Sequence, residues 1–192
     1  MFIIPGFLVS FLTFPGVMMH ELGHQLACWI CKICVFKVKY FQFDTKTGGF
    51  VQHEKTDNPW KSLLITYGPF ILNTLLGTIL VFPVALMWTY QSFGAPLPVW
   101  VKLACYALAY LGVSCLANAF PSSGDAGVLF TSVVKNKAIP LFIRVIVAPF
   151  VGIIYLCSLA KFFWFDFVFA LGVPQLIYSL ISHNPPHFWT MW

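Results

Sequence analysis

Long apolar segments alternate with short polar ones along most of this chain. The apolar segments cover residues 2–33, 61–89, 99–120 and 139–182. Each of the first three is long enough to cross a hydrocarbon core of about 30 Å as a helix. The fourth is too long for one span, and we divide it near residues 163–167. The pattern predicts an all-α polytopic membrane protein with about five transmembrane helices.

The most polar part of the chain follows the first apolar segment. Residues 35–43 alternate imperfectly between polar and apolar and are rich in β-branched and aromatic side chains, which is typical of a strand. Residues 44–49 read as a turn, and residues 50–53 as a returning strand. We therefore expect a small, membrane-associated region resembling a β-hairpin after the first helix.

Two functions remain open for this hairpin. It could be an ordinary interfacial loop. It could also present an exposed strand edge, at Gly49, Phe50 and Val51, that binds an extended substrate by adding it to the sheet.

Composition supports the membrane assignment. The chain has 192 residues, of which 59% are hydrophobic and 9% charged, whereas about a quarter are charged in a soluble domain. We interpret residues 1–192 as one bundle in an integral multi-pass membrane protein, located in the cell membrane if the source is bacterial. The net charge of +5 is too small and too dispersed to indicate nucleic-acid binding.

The chemistry centres on the stretch His20-Glu21-Leu22-Gly23-His24. On a helix, residues four apart share one face, so both imidazoles can bind one Zn²⁺. Glu21 would then lie beside the metal as the base that takes a proton from water. Histidines that only form hydrogen bonds in the interior are the alternative. Ionisable groups within a long apolar stretch are functional candidates by default, which favours the metal site.

Two later residues can complete this site. Asp125 is the only acid in an unwound loop after the third apolar segment, and its carboxylate would serve as a third zinc ligand while one position stays open for water. Its other reading is a cap of the helix that follows, predicted from residue 126 to about 135. Asn73, within the second apolar segment, would either bond to a neighbouring helix or donate a hydrogen bond to a developing oxyanion.

Charge distribution brings these candidates to one side of the membrane. The turn at residues 91–98 has no charge, whereas residues 32–61 contain six lysines: Lys32, Lys37, Lys39, Lys46, Lys55 and Lys61. The positive-inside rule then places the hairpin region in the cytoplasm. The same half of the membrane therefore holds the paired histidines, Asn73 and Asp125.

Cys28, Cys31 and Cys34 are spaced three apart. Such a run can bind zinc or an iron–sulfur cluster or be palmitoylated, but helix packing also produces it, and a fourth cysteine does not follow nearby. We do not predict a second metal here.

The assembled motifs resemble those of the site-2 protease family of intramembrane zinc metalloproteases. The resemblance covers about residues 10–130, which would be the catalytic core. It depends on the HELGH stretch, on Gly68-Pro69 followed by Asn73, and on a loop from Asn118 to Asp125. Ala126 follows Asp125 where the family has glycine, so we interpret the chain as a divergent branch.

The resemblance implies one zinc ion bound by His20, His24 and Asp125, with Glu21 activating water. It also implies that Asn73 or Asn118 positions substrate. The expected function is intramembrane endopeptidase action on membrane-protein or peptide substrates, with the active site towards the cytoplasm. The alternative is a non-catalytic zinc-binding membrane protein of the same fold that binds or escorts partners.

Overall fold

The structure, a computed structural model, describes residues 6–42, 48–94 and 96–182. These residues are mostly helical. The helices, in chain order, are α1 Gly6–Leu12, α2 Phe14–Ile30, α3 Pro59–Ser92, α4 Val99–Ala117, α5 Ser123–Leu129, α6 Leu141–Ala160 and α7 Phe165–Ser182. A π-helical turn, Phe130–Val134, extends α5, and a 3₁₀ turn, Lys161–Phe163, joins α6 to α7.

Four of the described helices, α3, α4, α6 and α7, are long and apolar enough to cross a membrane. Much of their surface is apolar and exposed, as on α6, where Leu141, Phe142 and Val145 lie outside the protein core. Exposed apolar surface of this extent is typical of helices that contact lipid. The helices are thus consistent with a multi-pass membrane protein.

The first apolar segment differs from the others because it breaks at Thr13 into α1, with 7 residues, and α2, with 17. Pro15 lies in the first turn of α2, where its missing N–H is tolerated. The first apolar segment is therefore divided next to Pro15. At 1.5 Å per residue, α2 is about 25 Å long, so length does not establish a fifth span.

Helix α3 is the axis of the bundle. Its 34 residues extend over about 51 Å, so its two halves contact different partners. Near its start, Ile65 packs with Ala27 and Cys28 of α2, and Tyr67 packs against the cluster formed by α5 and α6. Near its end, Val81 belongs to the core shared with α4 and α7. The middle of α3 therefore connects these two groups of partners.

The predicted hairpin is present. Strands β1 Val35–Lys39 and β2 Phe50–His53 pair antiparallel, with an irregularity after Val35. The first strand ends four residues earlier than expected, and most of the predicted turn lies outside the described residues.

Two other boundaries were wrong in detail. The helix expected from residue 126 begins at Ser123, because Ser122 caps it. The third apolar segment stops being helical at Ala117, three residues before the predicted end. The predicted break between the last two helices is confirmed, at Trp164.

Candidate metal centre

The two motif histidines lie one turn apart on α2, and their Nε2 atoms point at the same carboxylate. His24 Nε2 is 3.3 Å from Asp125 Oδ1, and His20 Nε2 is 3.8 Å from Asp125 Oδ2. Asp125 is more than a hundred residues away in sequence, and the start of α5 brings it there. The structure therefore brings together the three residues that the sequence predicted as ligands.

Backbone carbonyls determine which ring nitrogens are free. His20 Nδ1 is 2.7 Å from the carbonyl oxygen of Asn118, and His24 Nδ1 is 2.8 Å from that of Ile65. A carbonyl can only accept, so each Nδ1 must carry a proton and donate it. The neutral imidazoles then have their lone pairs on the Nε2 atoms that face Asp125, which is the tautomer a metal ligand needs.

Asp125 is positioned by the helix it helps to begin. Ser122 caps α5, and its N–H and its hydroxyl each donate to Asp125 Oδ2 at 2.7 Å, while Asp125 N–H donates to Ser122 Oγ at 3.2 Å. This reciprocal capping box holds the carboxylate still. The two readings of Asp125, helix cap and metal ligand, are thus compatible, because Oδ1 remains directed at His24.

The electrostatics of the cluster favour a cation. Burial alone would raise the pKa of Asp125, but the two imidazoles that face its carboxylate outweigh burial and hold that pKa well below its usual range. Asp125 is therefore ionised. Its charge must be balanced by protons on the Nε2 atoms or by a metal ion between them.

The spacing of the donor atoms fits zinc. One ligand atom from each of His20, His24 and Asp125 lies within 4.8 Å of the other two. Donors at 2.0–2.2 Å from a tetrahedral ion would lie about 3.3–3.6 Å apart, so an ion would draw the most distant pair together by up to about 1 Å. Two imidazoles and a carboxylate are also a donor set that zinc accepts with one position open. Within the described residues, this is the group that could hold a metal ion.

Glu21 lies next to these ligands. Its side chain is buried and lines the same cavity, of about 500 Å³, as the two histidines and Asp125. Gly49 leaves room for it, because a Cβ atom there would be 2.6 Å from Glu21 Cγ and 2.8 Å from the carbonyl oxygen of Lys39. Only glycine therefore fits where the hairpin approaches the motif helix.

The hairpin forms one wall of the cavity through β2. Gly49, Phe50 and Val51, the predicted substrate-binding residues, all line it. In the described part of the chain the sheet has two strands, so the outer edge of β2 has no partner strand. This edge is free to pair with an extended peptide.

The two asparagines occupy different places. Asn118 ends α4 and lines the cavity. Asn73 is fully buried and does not line it; its Nδ2 donates to the carbonyl oxygens of Asn118, at 2.8 Å, and Gly16, at 3.2 Å. Two interpretations of Asn73 were left open, and these contacts match the first, a hydrogen bond to a neighbouring helix. Its catalytic role stays a prediction.

Asn73 nevertheless connects to the metal site. The Asn118 carbonyl that accepts from Asn73 also accepts from His20 Nδ1. Asn73 therefore helps to place the acceptor that orients a proposed ligand.

The motif glycine and the Gly68-Pro69 pair are explained by helix packing. A Cβ on Gly23 would lie 2.6 Å from Pro69 Cα, and a Cβ on Gly68 would lie 2.8 Å from the carbonyl oxygen of Gly23. The backbones of α2 and α3 touch here, which sets the distance from His24 to the Ile65 carbonyl.

Sequence reasoning missed three features of the site. The pattern Ser122-x-x-Asp125 is a capping-box signature that could have been recognised. The Ile65 carbonyl has no signal in sequence, because any residue supplies one. Lys161 lines the cavity and pairs with Asp166.

The cysteine run lies at and just after the end of α2. Cys28 and Cys31 are buried, Cys34 is exposed, and all three are free thiols. Cys28 and Cys31 pack with Ile65, in accordance with the packing explanation.

Comparison of the chain with protein-family models, with curated proteins and with solved structures gave no match. The function is therefore inferred from the geometry of the site.

Proposed function

We propose that this protein is a membrane-embedded zinc endopeptidase, similar to the site-2 proteases, that hydrolyses peptide bonds in or near transmembrane segments. The observation that carries the proposal is the meeting of His20, His24 and Asp125 beside Glu21 in one cavity. A zinc site built for structure alone is usually closed by four protein ligands. Three ligands and an adjacent carboxylate are the arrangement of hydrolytic zinc sites.

The chain's own groups have defined tasks in this reaction. Zinc, when bound, would polarise the scissile carbonyl and acidify a water molecule. Glu21 accepts the proton of the attacking water and passes it to the leaving amine, so that one carboxylate serves as base and then as acid. Its burial beside the ligands keeps it near the reacting atoms.

Substrate binding is assigned to the open edge of β2. A membrane helix hides its carbonyls in internal hydrogen bonds, so a substrate helix must unwind before hydrolysis. The unwound strand would regain backbone hydrogen bonds by pairing with β2 at Phe50 and Val51. This pairing offsets the unfavourable free energy of unwinding and directs the scissile bond over Glu21.

The expected orientation places this cavity towards the cytoplasm. Residues 32–61 are rich in lysine, and the positive-inside rule places such segments in the cytoplasm. Hydrolysis consumes water, and an opening on the cytoplasmic side would supply it.

The decisive experiment is cleavage of a membrane-spanning reporter by the purified full chain in lipid nanodiscs. We expect Glu21→Gln to abolish cleavage while zinc content, measured by mass spectrometry, stays at one ion per chain, because Glu21 is not a ligand. Glu54→Gln is the matched control, since Glu54 is exposed just after β2. Cleavage that survives Glu21→Gln unchanged would refute the mechanism.

The alternative is a non-catalytic zinc protein of the same fold. The open β2 edge would serve either function, but a binding protein has no use for Glu21. Stoichiometric zinc without cleavage of any reporter in the wild type would favour it. Loss of zinc from a His20→Ala, His24→Ala protein would identify the ligands in both cases.

A further inference from the structure

Lys161 brings a positive charge to the wall of the same cavity. It lies at the break between α6 and α7, in the last third of the chain, where no motif indicated a function. Its ammonium is 3.4 Å from the carbonyl oxygen of Phe120 and 3.4 Å from Asp166 Oδ2. Phe120 belongs to the loop between Asn118 and Ser122, so Lys161 is held against the segment that orients His20 and Asp125.

These contacts leave the ammonium incompletely bonded. Charge-assisted N–H···O bonds are normally about 2.7–2.9 Å long, and both distances are well above that. An ammonium has three donors, and two partners are present among the described residues. Lys161 also keeps about a third of its side chain exposed (34%). An anion in the cavity would therefore find a donor available.

Asp166 does not fully compensate Lys161. Only Oδ2 approaches the ammonium, while Oδ1 is buried without a hydrogen-bond partner. Asp166 is also absent from the residues that line the cavity. Lys161 therefore faces the cavity, whereas Asp166 does not line it.

Among the described residues, the rest of the cavity wall does not supply a free acid. The two carboxylates that these residues contribute are Glu21 and Asp125, which the proposed function already employs, whereas His53 and Lys55 add basic character along the β2 side. The described surface left for substrate is therefore basic and lacks an unoccupied carboxylate.

We propose that Lys161 binds a carboxylate of the substrate peptide, and that the enzyme prefers peptides with such a group near the scissile bond. The inference rests on the proposed function, because it assigns a substrate feature to that site. The carboxylate has two possible sources, an Asp or Glu side chain or the terminal carboxylate of the peptide.

Binding can be measured without turnover in a zinc-loaded Glu21→Gln protein, which keeps all three proposed ligands. The full chain in nanodiscs is titrated with pairs of fluorescent ten-residue peptides, and anisotropy gives the dissociation constants. One set of pairs compares Asp with Asn at each position, and the other compares a free with an amidated C-terminus. We expect the carboxylate form to bind about tenfold more tightly in one set, as a hydrogen bond between charged groups allows.

Substitutions then test whether Lys161 causes the preference for the carboxylate form of the peptide. Lys161→Met should abolish this preference, and Lys161→Arg should retain it. Asp166→Asn should increase it, because the ammonium loses its competing carboxylate, and a purely structural ion pair would not produce this increase. Lys102→Met, near the start of α4, is the control and should leave it unchanged.

The outcomes separate the hypotheses. A parent protein without any preference, including one that binds neither peptide, overturns the inference, and so does a preference that survives Lys161→Met. If that variant misfolds, Lys161→Met with Asp166→Asn removes the pair together and should show no preference. Cleavage independent of Glu21, together with a Lys161-dependent preference, would overturn the proposed function alone.

Discussion

Replacing Gly23 with alanine tests whether contact between α2 and α3 sets the geometry of the metal site. The new Cβ would lie 2.6 Å from Pro69 Cα and 2.9 Å from Pro69 N, both backbone atoms that cannot rotate away. Carbon atoms in contact are normally about 3.5–4.0 Å apart. The two helices must therefore separate by roughly 1 Å at this point.

That separation acts directly on His24. Its Nδ1 is 2.8 Å from the carbonyl oxygen of Ile65, one turn before Pro69 on the same helix. A displacement of about 1 Å would lengthen this bond beyond the limit of about 3.2 Å. Losing the partner of a ligating histidine typically weakens metal binding by about 10–100-fold, so we expect Gly23→Ala to lower zinc affinity by that factor.

The free energy of unfolding should fall by less than the free energy of zinc binding. Overpacking lowers the free energy of unfolding by about 1–3 kcal/mol. Alanine in place of a helical glycine raises it by about 0.5–1 kcal/mol. Zinc affinity is measured by competition with a fluorescent chelator, and stability by thermal unfolding of the chelator-treated protein in detergent.

Gly152→Ala in α6 is the matched control, because a Cβ there meets no atom within 4 Å. We expect it to leave zinc affinity unchanged and not to lower stability. A Gly23→Ala protein that binds zinc as tightly as the wild type would refute the reasoning that contact between the helix backbones positions His24.

Two more substitutions test the residues that orient the ligands. Ser122→Ala removes the capping box and should lower stability by about 1 kcal/mol; freeing Asp125 should also weaken zinc binding, and unchanged affinity in the chelator assay would contradict this role. Asn73→Leu should reduce zinc affinity about tenfold through the Asn118 carbonyl. If it instead reduces only the rate of cleavage, Asn73 acts on substrate as the sequence suggested.

The two substitutions should also differ in their effect on the free energy of unfolding. Asn73→Leu removes two hydrogen bonds but also removes Oδ1, a buried acceptor without a partner. Each lost bond is worth about 1 kcal/mol, and an unsatisfied buried group costs about 1–3 kcal/mol, so the net change should be small. Ser123→Ala, next to the cap and exposed, controls for the Ser122 substitution.

Local patterns were sufficient for much of the fold. Helical spacing alone placed His20 and His24 on one face, and apolar runs located α3, α4 and the break between α6 and α7. The first segment is divided at Thr13, just before Pro15, a boundary that hydropathy alone does not record. The start of α5 was misplaced because the cap, Ser122, was not recognised.

The amino-acid sequence by itself determined the donor chemistry, since residue type and a period of 3.6 are local properties of a chain. It nominated Asp125 through its place in an unwound loop, the charge distribution and the resemblance to site-2 proteases. Tertiary structure decided which atoms meet: the carboxylate between two Nε2 atoms, the carbonyls of Ile65 and Asn118 behind them, and the ammonium of Lys161 beside them. Those relations join residues far apart in the chain, and backbone carbonyls, which every residue carries, leave no trace in a sequence.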